Sequence, residues 1–97
     1  MEFVVIAKWI AQEGQELAVG RALERLAARS REELGCLEYR VHCSVDDPRS
    51  YLLYERYASE DAYRLHGDSE HFRLHAIEEG IPLLESRSRE FYASLDF

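Results

Sequence analysis

From Cys36 to Tyr57 the chain reads CLEYRVHCSVDDPRSYLLYERY, two alternating runs on either side of DDPRS. Strict alternation is the period of a strand with one buried face, and Asp, Pro and Ser between two such runs mark a turn. In the first run Leu37, Tyr39, Val41, Cys43 and Val45 point one way, and Glu38, Arg40, His42 and Ser44 the other. The segment is therefore a hairpin of strands 36–45 and 51–57. Few topologies place a hairpin in the middle of so short a chain, and what flanks it decides between them.

Each flank pairs one strand with one helix. On the N-terminal side EFVVIAKWIA (2–11) is a β-rich run ended by Gln12-Glu13-Gly14. From Gln15 to about Leu34 the period becomes helical, with Val19, Ala22, Leu23, Leu26 and Ala27 in one stripe. Gly35 is placed to close that helix as a C′ glycine. On the C-terminal side Ser59 reads as an N-cap, with Glu60 and Asp61 in the first turn where the helix dipole favours anions. Gly67 interrupts the helix and Ser69 reads as a second N-cap. Two pieces are expected, about 60–66 and about 70–79, stopped by Gly80 and Pro82. IPLLES then makes a short turn or one helical turn, and RSREFYASLDF (87–97) alternates again, with Phe91, Ala93, Leu95 and Phe97 on one side.

The order β-α-β-β-α-β is the ferredoxin-like, split β-α-β pattern of an α+β fold: a four-stranded antiparallel sheet with both helices on one face. Ninety-seven residues make a single domain, 1–97. Two helices cover one sheet face only, yet strands one and three are apolar on both. The uncovered face is expected to meet a second copy through a two-fold axis, giving a homodimer. A net charge of -7 speaks against a nucleic-acid surface and against anionic lipid. The apolar N-terminal run breaks at Lys8 and has neither the length of a membrane span nor the basic start of a signal peptide, so a cytoplasmic location is expected. Cys36 and Cys43 have opposite strand parity, so no bridge joins them, and both read as small apolar fillers.

The stretch 32–75 carries Gly35-Cys36-Leu37-x-Tyr39, Asp47-Pro48, Leu53-Tyr54-Glu55-x-Tyr57-x-Ser59-x-x-Ala62, His66 and Ser69-x-His71-Phe72; Ile81-Pro82-Leu83-Leu84-Glu85 follows. Taken in order, these residues resemble the antibiotic biosynthesis monooxygenase (ABM) domain family, dimeric α+β barrel proteins that include small quinol monooxygenases. The resemblance covers essentially the whole chain. It implies the fold derived above, the dimer, and a pocket between sheet and helices. It also implies oxygenation of quinols or polycyclic phenols without metal, flavin or haem, although other members degrade haem or isomerise a phosphorylated sugar. Tyr57 stands where the family usually has tryptophan. Ala7 and His66 stand where the haem-degrading branch has asparagine and tryptophan, so haem degradation is not expected.

Oxygenation without a cofactor needs a base, donors to stabilise the resulting anion, and a dry pocket. Histidine, with an ordinary pKa of about 6.5, suits the base. His66 is the first candidate, at the helix break and at a recurrent family position. His71, in the first turn of the second helical piece, is a hydrogen-bonding partner or alternate base. His71 and His75 have the i, i+4 spacing that can chelate zinc, but HFRLH is not HExxH and Arg73 lies between them, so no metal is expected. Trp9, Tyr39, Tyr57 and Phe72 are candidates to line the pocket, with Arg40 and His42 as polar companions. The expected activity is a cofactor-independent monooxygenase joining dioxygen to a quinol or polyphenol. The alternative is an isomerase or a ligand-binding dimer on the same fold.

Overall fold

The chain folds as β1 (Phe3–Ala11), α1 (Glu16–Ser30), β2 (Cys36–Cys43), β3 (Ser50–Tyr57), α2 (Glu60–Gly67), α3 (Phe72–Gly80), a short 3₁₀ turn (Ile81–Leu83) and β4 (Leu84–Ala93). The computed structural model describes residues 1–97. The sheet order is β2-β3-β1-β4, every neighbouring pair antiparallel, so the expected α+β, ferredoxin-like fold is the observed one. No helix is long and apolar enough to cross a membrane.

The α1 stripe Val19, Ala22, Leu23, Leu26 and Ala27 is buried against the sheet. Fully burying a leucine side chain is worth roughly 1.5–3 kcal/mol, so Leu23 and Leu26 fix this helix far more firmly than its propensity does. On β1 the residues facing the helices are Val5, Ala7, Trp9 and Ala11, all buried. Tyr39 and Leu53 from the hairpin complete the core.

The Ser59 hydroxyl accepts from the Ala62 N–H at 3.2 Å, as an N-cap should. Ser69 does the same for Phe72 at 3.1 Å and also donates to the His66 carbonyl at 2.7 Å, stapling the end of α2 to the start of the next helical piece. That next piece is not the expected α-helix. Phe72–Gly80 is a π-helix, with the Ile81 N–H reaching the Ala76 carbonyl five residues back. The wide turn aligns Phe72, Ile77 and Ile81 on the sheet side.

Three further expectations are corrected. Helix α1 ends at Ser30, five residues before Gly35, so Gly35 is not its C′ glycine. Its φ is not positive either. What Gly35 supplies is space, because a Cβ there would lie 2.4 Å from the Ala62 Cβ on α2. Strand β4 starts at Leu84, earlier than the alternation of 87–97 suggested. Both cysteines are free. Cys36 packs on the core, its thiol pKa pushed up to about 11 by burial and nearby Glu33 and Glu55, whereas Cys43 is exposed and fills nothing.

Candidate active site

Between the helices and the sheet lies a cavity of about 570 Å³. Its floor is Val5, Ala7, Trp9 and Leu53 from the strands, and Phe72 and Ile77 from α3 close it. The Trp9 ring lies so close to Gly80 that a Cβ there would sit 2.8 Å from it, which is why α3 ends in glycine.

His66, at the end of α2, looks into this cavity and is only 2% exposed. Aromatic rings hold it on several sides: Phe72 edge-on at 5.2 Å, Tyr57 at 5.5 Å and Tyr39 at 5.6 Å between centroids. A buried imidazole needs polar partners, and it has two carboxylates. Its Nδ1 donates to Glu33 Oε2 at 2.8 Å, and its Nε2 lies 4.0 Å from Glu55 Oε1. His71 donates from Nε2 to the same Glu33 oxygen at 2.5 Å. Burial alone would raise the Glu33 pKa, but the hydrogen bonds and charges of His66 and His71 outweigh it and hold the carboxyl below its ordinary value. An ionised Glu33 fixes the proton of His66 on Nδ1 and leaves the Nε2 lone pair on the side of Glu55, which also lines the cavity.

Glu55 has the opposite character. Burial pushes its pKa up, against the lowering effect of the 2.7 Å hydrogen bond donated by the Tyr57 hydroxyl. A carboxyl whose folded-state pKa is raised stabilises the fold fully below its unfolded pKa, and that contribution is lost as pH rises through the folded value. Glu55→Gln keeps an acceptor for Tyr57 and removes the desolvated charge. The variant is expected to gain on the wild type as pH rises above the ordinary carboxyl range, read as the difference in Tm between the two proteins at each pH. A wild-type advantage that grows with pH would mean that Glu55 is held as a carboxylate.

Of the residues expected at the site, His66, Trp9, Tyr39 and Phe72 line the cavity. Tyr57 is fully buried just behind it, bonded to Glu55. His71 does not line it and reaches it only through Glu33. Arg40 and His42 do not line it either. The register Arg40↔Tyr54 and His42↔Leu52 places both on the opposite sheet face, where they are exposed. His75 turns away to Glu79 at 2.9 Å, so the i, i+4 pair with His71 does not converge. The donor atoms of Glu33, His66 and His71 do lie within 4.8 Å of one another, a set chemically suited to a divalent transition metal. In this arrangement the Glu33 oxygen accepts a hydrogen bond from each imidazole.

Glu33 and Glu55 were not among the expected site residues. Glu55 carried a signal, because it shares the buried parity of Leu53 and Tyr57 on β3. Glu33 carried none, since it sits in the irregular link between α1 and β2.

The family profile of antibiotic biosynthesis monooxygenases matches residues 2–76. No curated protein matches the chain. Among solved structures it is similar to PA3566 from Pseudomonas aeruginosa, with 30% identity, a TM-score of 0.90, and 97% of this chain and 94% of that one covered. It is similar to Rv0793 from Mycobacterium tuberculosis at 28% identity and a TM-score of 0.89, covering 100% and 98%. A Nitrosomonas europaea protein at 22% identity superposes with a TM-score of 0.92 over 98% of this chain and 91% of that one, a likeness of fold. With the profile spanning most of the sequence, the chain belongs to the antibiotic biosynthesis monooxygenase family.

Proposed function

We propose that the protein is a cofactor-independent monooxygenase of a quinol or polyphenolic small molecule, with His66 as the base. The observation that carries this reading is a buried imidazole that lines an aromatic-walled cavity, its Nδ1 tied to Glu33 and its Nε2 free of any hydrogen bond, 4.0 Å from Glu55. Nε2 takes the proton from a substrate hydroxyl or activated CH₂, and Glu33 and Glu55 face the imidazolium that forms. The electron-rich substrate anion passes one electron to dioxygen, the radicals combine to a peroxide anion, and the His66 imidazolium protonates it to the hydroperoxide. Loss of water then turns the ring CH of a quinol, or the CH₂ of an anthrone, into C=O: one oxygen atom enters the product, the other leaves as water, and the substrate supplies all the electrons. Glu33, which His71 also hydrogen-bonds, holds the imidazolium while it carries that proton back to the peroxide.

Oxygen uptake with a panel of hydroquinones and anthrones tests this. Uptake that depends on His66 is the expected result. No uptake with any of them would favour an isomerase or a binding role on the same fold.

The assembly proposed with it is a homodimer. The sheet face turned from the helices carries Ile6, Ile10, Leu52 and Tyr54 at its centre, with Leu52 40% exposed, and nothing in the chain covers it. Sedimentation at micromolar concentration is expected to give a dimer; a stable monomer would overturn it.

A further inference from the structure

Three arginines, Arg64, Arg87 and Arg89, line the cavity against two carboxylates, Glu55 and Asp68. There are 19 Asp and Glu against 12 Lys and Arg, and Arg25, Arg29, Arg40, Arg49, Arg56, Arg64 and Arg73 all have a carboxylate partner. Four arginines have no carboxylate within ion-pair distance, and of these Arg87 and Arg89 on β4 line the cavity whereas Arg21 and Arg31 do not. The register Trp9↔Arg87 and Ala7↔Arg89 puts both on the helix side of the sheet, beside the cavity floor. Residues two apart on a strand share a face at roughly 6.5–7 Å, a spacing that one small oxyanion can bridge. Arg89 is already oriented: it donates to the Tyr63 hydroxyl at 2.7 Å and its guanidinium lies 5.2 Å from the Phe91 ring centroid. Edge strands carry charge for other reasons, chiefly to block pairing with another chain. That reason asks nothing about which face the charges occupy, and these two share the face of Trp9.

We infer that Arg87 and Arg89 form the recognition site for an anionic group on the substrate, which is thus a hydroxylated aromatic carboxylate. It builds on the quinol reading above and adds the substrate's charge. The apolar floor of Ala7, Trp9, Leu53 and Phe72 takes the ring, His66 meets the hydroxyl, and the carboxylate points out to the guanidinium pair. Arginine's planar fork matches a carboxylate in two parallel hydrogen bonds, so recognition fixes orientation as well as charge.

Trp9 is the only tryptophan and lies in the cavity wall, so its fluorescence reports occupancy without turnover. Gentisate and its uncharged methyl ester are titrated against the wild type and against Arg87→Gln/Arg89→Gln. The wild type is expected to bind the acid at least about tenfold more tightly than the ester, with the preference shrinking as salt is raised. In the double variant acid and ester are expected to bind alike. Both arginines are exposed, and a melting curve checks that the variant folds. Equal binding of acid and ester by the wild type overturns the inference, as does a preference that survives in the double variant. Oxygen uptake with uncharged hydroquinones but no preference for the acid would sink this inference and leave the oxygenase standing. A preference for the acid with no uptake would do the reverse.

Discussion

His66→Ala is expected to lower kcat/KM for oxygen uptake by about 10²–10⁴-fold, the usual worth of a positioned base. The loss should fall on kcat, because the ring of the substrate rests on Trp9, Phe72 and Leu53, which the substitution leaves in place. His71→Ala should cost less, about tenfold, since His71 meets the cavity only through Glu33. Removing a fully buried ring also leaves a void and strips Glu33 of one of its two donors, so melting temperatures must accompany the rates. His66→Gln, which refills much of the void with a side chain too weak to act as a base, separates the two effects: it should recover stability and not rate. Uptake that is unchanged in a folded His66 variant removes this residue from the chemistry.

Gly35→Ala is expected to cost about 1–3 kcal/mol, the range for forcing atoms into a packed site, and Gly35→Val more. For a domain of this size each kcal/mol lowers Tm by roughly 4–8 °C, so the loss is easily read. The added carbon would stand 2.4 Å from Ala62 Cβ, and the backbone at Gly35 is also pinned by its carbonyl, which accepts from the Ala58 N–H at 2.9 Å. The strain has to be relieved by moving α2, and α2 carries His66 one turn beyond Ala62. Activity should fall with stability. Pairing Gly35→Ala with Ala62→Gly removes the opposing methyl, so the double variant should lose less than the sum of the single losses, even though glycine in a helix costs about 1 kcal/mol. Additive losses would show that the clash does not hold the helix off.

The scaffold was readable because hydrophobic period decides it. Every residue of the α1 stripe is buried, the buried face adding only Ser30, and both serine caps bind where their positions said they would. The site was readable only in part. His66 and Trp9 could be placed because one sits just before a helix break and the other shares a parity with Val5 and Ala7. Strand parity also shows why Arg40 and His42 had to fall away: a strand that turns Tyr39 to the helices turns its neighbours two by two to the other side. Glu33 escaped because an irregular link has no period, and its meeting with two histidines some 33 and 38 residues later is a property of the tertiary fold. The π-helix was not legible either, because its residues are ordinary helix formers and a five-residue hydrogen-bond step leaves no mark in a 3.6-residue pattern.

That wide helix has a mechanical meaning. Each turn of a π-helix holds about one more residue than an α-turn and rises less along the axis for each. Phe72–Gly80 is therefore a segment wound short, fixed at one end by Ser69 and at the other by the antiparallel pairing of β4. Tightening one turn to the α step would lengthen the helix and swing Phe72 around its axis relative to Ile81, while the sheet register stayed as it is. The cavity thus has one wall whose length is adjustable and one, the sheet, whose length is not.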